Sequence, residues 1–173
     1  MLLNFSTSYL LIFRFKGCLL LTDEERSEIE VELSHYPYRR AACVEALKVV
    51  QKYRGWVADE QIADLSALLG MTVDELDGVA TFYPFIFRRP AGRHVIYLCD
   101  SVSCWVMGYE ELFATLKERL GISLGGTTGD GRFTLLPVSC IGECNHAPAI
   151  IIDDDVYGDL EPGQIESILS RYI

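Results

Sequence analysis

The stretch GRHVIYLCDSVSC, residues 92–104, decides how the second half of this 173-residue chain folds. HVIYLC, 94–99, is β-branched and apolar, which reads as a strand, and it ends on a cysteine. A second cysteine, Cys104, follows a short loop. On the N-terminal side, RRPAG at 88–92 breaks the apolar pattern and reads as a linker. On the C-terminal side, MGYEELFATLKERL (107–120) carries Leu112, Phe113, Leu116 and Leu120 at helical spacing. After the glycine-rich loop GISLGGTTGDG, the segment FTLLPVSC (133–140) reads as a second strand, again closing on a cysteine. AIIID and VYGDL flank an acidic turn at Asp153–Asp155 and predict a hairpin. EPGQIESILSRYI predicts a final helix, with Pro162 in its first turn and Ile165, Ile168, Leu169 and Tyr172 on one face. The order β-α-β-β-β-α, opening on a parallel unit, suggests a small α/β sandwich of the thioredoxin kind.

Upstream of the linker the period is helical. TDEE offers Thr22 as N-cap and Glu25 as its capping-box partner, with Ile29 and Leu33 four apart behind them. RRAACVEALKVVQKYRG places Cys43, Ala46, Leu47, Val50 and Tyr53 at helical spacing and stops at Gly55. DEQIADLSALLG predicts a third helix, capped by Asp59 and closed by Gly70. TVDELDGVATFY opens on a second capping box, Thr72 to Glu75. The expected architecture is α+β and α/β in turn: a helical bundle over 22–88, then an α/β domain over 92–173.

Residues 1–21 stand apart. MLLNFSTSYLLIFRFKGCLLL is apolar, but its uncharged run before Arg14 is too short to span a bilayer comfortably. A secretory signal places its positive charge before the apolar run, and here the order is reversed. An upstream extension or misassigned start is the preferred reading, with a presequence or a membrane anchor as alternatives.

Half the chain is apolar, enough for a sizeable core. The net charge of −10 and the absence of a basic run argue against nucleic acid and against adhesion to anionic lipid. No G-x-G-x-x-G follows a strand, no P-loop is present, and no Ser/His/acid triad signature appears, so no catalytic residue is expected in this chain.

Of the six cysteines, Cys18 and Cys43 stand alone, Cys43 on an apolar helical face that suits buried packing. The other four form the pattern C-x4-C, thirty-five residues, C-x3-C, through Cys99, Cys104, Cys140 and Cys144. In a βαβ unit the two strand ends are neighbours, so two loops bearing two thiols each would meet. A thioredoxin-type dithiol requires C-x-x-C, which is absent. Zinc favours tight C-x2-C knuckles; the wider loops suit a two-iron rhomb in which each iron takes two thiolates. An iron–sulfur site is preferred on spacing, with zinc and unligated thiols left open. Gly142 would let the backbone pass close to sulfide and donate amide hydrogens, with a plain turn glycine as the alternative. His146 invites comparison with a Rieske centre, but four cysteines suffice and a surface histidine is expected. Pro148 reads as cis or trans. Asp153–Asp155 is expected to be merely solvated, and the aromatic run TFYPFIF (81–87) to belong more to core than to interface, with partner docking as the alternative.

EALKVVQKYRGWV, DGVATFY, GRHVIYLCDSVSC, GRFTLLPVSCIGEC and the acidic turn near the end resemble the E-subunit family of NADH–quinone oxidoreductases, bacterial respiratory complex I, from about Thr22 to Ile173. The resemblance implies a helical part followed by a thioredoxin-like [2Fe-2S] ferredoxin domain, with Cys99, Cys104, Cys140 and Cys144 as the four cluster ligands. It implies a subunit that is not catalytic alone and packs against the flavin-bearing, NADH-binding subunit and the iron–sulfur subunit of the peripheral arm. FMN and NADH would belong to that partner. The cluster would lie near the FMN, off the main chain to quinone, as a store for one electron, and the location would be cytoplasmic, peripheral to the inner membrane. Relatives of the same frame serve as diaphorase subunits of NAD-linked hydrogenases and formate dehydrogenases, but CDSVSCWVMGYEEL is more similar to the respiratory version. A zinc-bound or metal-free adaptor in the same assembly is the non-redox alternative.

Overall fold

The structure, a computed structural model, describes residues 21–173, and the reading of 1–20, Cys18 included, lies outside the described residues. The chain divides into two compact units at Arg88 and Arg89.

In the described part of the first unit, α1 (Asp23–Ser34), α2 (Cys43–Arg54), α3 (Asp59–Leu69) and α4 (Val73–Phe82) follow one another. Both capping boxes form. Thr22 Oγ1 accepts the Glu25 N–H at 3.2 Å while Glu25 Oε2 accepts the Thr22 N–H at 2.7 Å. Thr72 and Glu75 repeat the exchange at 3.2 and 2.9 Å. Each box satisfies two of the orphan N–H groups at its helix start. Gly55 and Gly70 end α2 and α3 at φ 78° and 67°, the left-handed conformation that glycine adopts without a Cβ penalty. Helix α3 departs from expectation at its start. Ala58 is the N-cap residue, its N–H donates to Gln61 Oε1 at 3.1 Å, and Asp59 is the first helical residue. Asp59 instead accepts from Arg88 Nη2 at 2.6 Å.

The core of this unit joins Ile29, Leu47, Val50, Ile62, Leu65, Leu69 and Leu76, all essentially without exposure. Leu21 belongs to it too, and its N–H donates to Asp64 Oδ2, so the core takes in a residue ahead of the expected boundary. Cys43 packs partly buried against the same core. Tyr53 does not: it is exposed and donates its hydroxyl to Glu28. The aromatic run is also a correction. Only Ile86 of TFYPFIF is buried; Phe82 is 77 % exposed, and Tyr83 and Phe85 are exposed as well. Helix α4 buries Leu76 and Ala80, and Phe82, two residues past Ala80, falls on the opposite side of the helix.

The second unit is built on the strand order β2-β1-β3-β4. β1 (His94–Cys99) runs parallel to β2 (Phe133–Val138) and antiparallel to β3 (Ile150–Ile152), which pairs antiparallel with β4 (Asp155–Tyr157). The core draws Ile96 and Leu98 from β1, Leu135 from β2 and Ile150 from β3. To these it adds Leu112 and Leu116 from α6 (Tyr109–Leu120) and Ile165 and Ile168 from α7 (Ile165–Leu169). A short extra helix, α5 (Val102–Met107), occupies the segment expected to be loop, and Gly108 at φ 124° separates it from α6. Asp153–Asp155 is not merely solvated. Asp153, at φ 54°, accepts the Val95 N–H at 2.9 Å and bonds His94 Nδ1 at 2.7 Å, and Asp155 accepts the Tyr172 hydroxyl at 2.7 Å. The turn thereby ties the hairpin to β1 and to the chain end. Among the described residues no helix is long and apolar enough to cross a membrane.

Candidate metal centre

Parallel pairing brings the two cysteine loops to one edge of the sheet. Cys99 is the last residue of β1 and stands opposite Val138, the last residue of β2. The ladder runs one step further, with the Asp100 N–H on the Val138 carbonyl at 3.0 Å. The Cys99 N–H is held by the Ala149 carbonyl at 3.2 Å. Cys104 sits at the third position of α5, and both Cys99 and Cys104 are buried. Cys140 lies two residues beyond β2, and Cys144 opens a single 3-10 turn, Cys144–His146; both are exposed. Their sulfurs are 3.9 Å apart.

Donors converge on these sulfurs. The Gly142 N–H points to Cys140 Sγ at 3.4 Å, from a residue at φ 89°. Ser101 Oγ lies 3.4 Å from Cys99 Sγ. Burial pushes the Cys99 thiol up, but hydrogen bonds from the Ser101 hydroxyl and N–H, the Cys104 thiol and the Ile141 N–H outweigh it and hold the group below its ordinary value. Burial, together with the bond to Cys99, pushes the Cys104 thiol up. The Ile141 contact is the link between loops: a backbone donor beside Cys140 serves the sulfur at the end of β1. Sequence reading passed over Ser101, Ile141 and Ala149. None of the three had a local signal, because Ser101 stands in a segment that reads as loop and Ile141 and Ala149 act through their backbone.

The thiols stand as two pairs, Cys99 with Cys104 and Cys140 with Cys144. Two thiolate pairs are the donor set of a two-iron rhomb, and four thiolates are also the donor set of a structural zinc ion. His146 is exposed and bonded through Nδ1 to Asp159 Oδ2 at 2.6 Å; that carboxylate raises the imidazole above its ordinary value. The Ala147–Pro148 peptide is cis. Beside the buried pair, α5 exposes Val102, Trp105, Val106 and Met107, and Trp105 stacks on Tyr109 at 5.2 Å between ring centres.

Comparison with known proteins agrees with this geometry. The model of the thioredoxin-like [2Fe-2S] ferredoxin family matches residues 29–173. The NADH-quinone oxidoreductase E-subunit of Pseudomonas aeruginosa is 51 % identical over 154 residues, 89 % of this chain and 93 % of that one. The E-subunit of the same oxidoreductase from Escherichia coli is 50 % identical over 152 residues, 88 % of this chain and 92 % of the other. Among solved structures, an NAD+-reducing [NiFe]-hydrogenase in the H2-reduced state superposes with a TM-score of 0.63 at 25 % identity over 76 % of this chain. This chain spans only 22 % of that hydrogenase chain. With two thiol pairs at one sheet edge and half-identity to relatives along most of its length, the chain belongs to the thioredoxin-like [2Fe-2S] ferredoxin family.

Proposed function

We propose that this chain is the [2Fe-2S] electron-transfer subunit of the NADH dehydrogenase module of an NADH:quinone oxidoreductase, with Cys99, Cys104, Cys140 and Cys144 as cluster ligands. The observation that carries the reading is the meeting of two thiol pairs at one end of the parallel β1–β2 pair. Each pair would hold one iron. The bound cluster supplies a carrier for single electrons. The chain's own residues do the rest. β1 and β2 set the spacing of the loops, Gly142 and Ile141 present N–H groups to sulfur, and burial of Cys99 and Cys104 keeps water from half of the site. We assign the cluster domain to 92–173 and the helical bundle to 22–88. FMN and NADH would be held by the partner flavin subunit, and the exposed apolar face of α5 beside the thiols suits contact with such a protein. The complex would place the chain on the cytoplasmic side, peripheral to the inner membrane.

Anaerobic reconstitution with iron and sulfide, followed by dithionite reduction, should give the EPR signal of a reduced [2Fe-2S] cluster. Cys140→Ser should alter that spectrum. Protein that takes up zinc but never yields a reducible cluster would sink the electron-transfer reading in favour of an adaptor. The likeness to the hydrogenase favours a second reading, a diaphorase module. Isolating the native complex and assaying NADH-dependent quinone reduction against hydrogen oxidation separates the two.

A further inference from the structure

Three helices start on a hydroxyl residue with nearly the same backbone. Thr22 stands at φ −70° and ψ 165°, Thr72 at −78° and 157°, and Ser101 at −69° and 164°. Both threonines accept a backbone N–H of their own helix, as N-cap residues do. Ser101 does not, although its backbone leaves that bond open. Its hydroxyl lies against Cys99 Sγ at 3.4 Å instead, and it also hydrogen-bonds the Cys104 thiol. The serine has given up its cap for sulfur.

We propose that Ser101 is a positioning residue for the cluster, whose hydroxyl donates to Cys99 Sγ and raises the reduction potential. The inference rests on the ligand assignment above. A thiol and a hydroxyl can each donate across this 3.4 Å contact. A metal-bound thiolate carries no proton, so the contact persists only with the hydroxyl as donor. One-electron reduction makes the cluster one unit more negative, with no bond made or broken in the protein. A donor aimed at a ligand sulfur therefore stabilises the reduced state more than the oxidised one.

The test is an EPR-monitored potentiometric titration of the full-length, anaerobically reconstituted chain, with dithionite as the electron source. Ser101→Ala should keep the [2Fe-2S] signal and lower the reduction equilibrium about tenfold, about 59 mV to the negative for one electron. Ser101→Thr, which keeps the hydroxyl, should restore most of the shift. Ser103→Ala, at the second residue of α5, should leave the potential unchanged. An unshifted potential in Ser101→Ala, or an equal shift in Ser103→Ala, overturns the proposal. Loss of the cluster in Ser101→Ala but not in Ser101→Thr overturns it as well, because the hydroxyl would then serve assembly rather than tuning. Failure of the unsubstituted chain to take up a [2Fe-2S] cluster would instead count against the ligand assignment.

Discussion

Glu25 shows how much one residue can hold. Its side chain is 1 % exposed, yet it caps α1 and forms a two-point ion pair with Arg54, Nε to Oε1 at 2.5 Å and Nη2 to Oε2 at 2.7 Å. Burial alone would push this carboxyl up, but the Arg54 guanidinium and the Thr22 hydrogen bonds outweigh it and hold it below 4.5. A depressed carboxylate contributes stability that is fully present above its unfolded value and is lost as pH falls through the folded one. Arg54→Met should therefore cost about 3 kcal/mol at pH 7, the low end for a buried pair because 19 % of the Arg54 side chain stays in water. Urea unfolding at a series of pH values checks this: the gap to the unsubstituted protein should close below pH 4.5. A constant gap down to acid would mean that the loss is of packing, not charge. The capping half of this arrangement was readable from T-D-E-E. The pairing with a residue on the next helix was not, because twenty-nine positions separate Glu25 from Arg54.

At the scale of elements, the five long helices of the described residues and the strand runs announced themselves by spacing and caps. The short elements did not. α5 has six residues, too few to establish a helical period, so CDSVSCW reads as loop until β1 delivers it to a place where it can pack. The turn at Cys144–His146 is similar: it is held by tertiary contact with the segment after β4. There the Asp159 N–H donates to the His146 carbonyl at 2.6 Å, and a Cβ on Gly158 would stand 2.5 Å from His146 Cβ and 2.8 Å from the His146 carbonyl oxygen. Backbone is among the atoms met, so the clash is not relieved by a rotamer change. Gly158→Ala should cost about 2 kcal/mol and displace the Cys144 turn. A lower melting temperature together with faster bleaching of the visible absorbance of the reconstituted protein is the expected pair of results. An unchanged bleaching rate would separate this turn from the metal centre.

At the scale of the whole molecule, the cores of the two units share no residue among the described residues. Leu47, fully buried in the helical core, tests their independence. Leu47→Ala should remove about 2–5 kcal/mol from the helical unit while the visible spectrum of the reconstituted cluster domain stays as it was. Calorimetry and absorbance melts on one sample would report the two separately; coincident, equally shifted transitions would mean that the units unfold as one. The sequence alone determined what depends on neighbours three or four residues apart: the capping boxes, the helix faces, the glycine stops, the strand runs and the four-cysteine frame. Tertiary structure decided what depends on partners tens of residues away. The parallel register of β1 on β2 sets Cys99 opposite Val138, and only then does the Ile141 N–H find the Cys99 sulfur. A hydrogen bond acts over about 3 Å, whereas the spacing of residues along the chain carries no such distance until the sheet has formed.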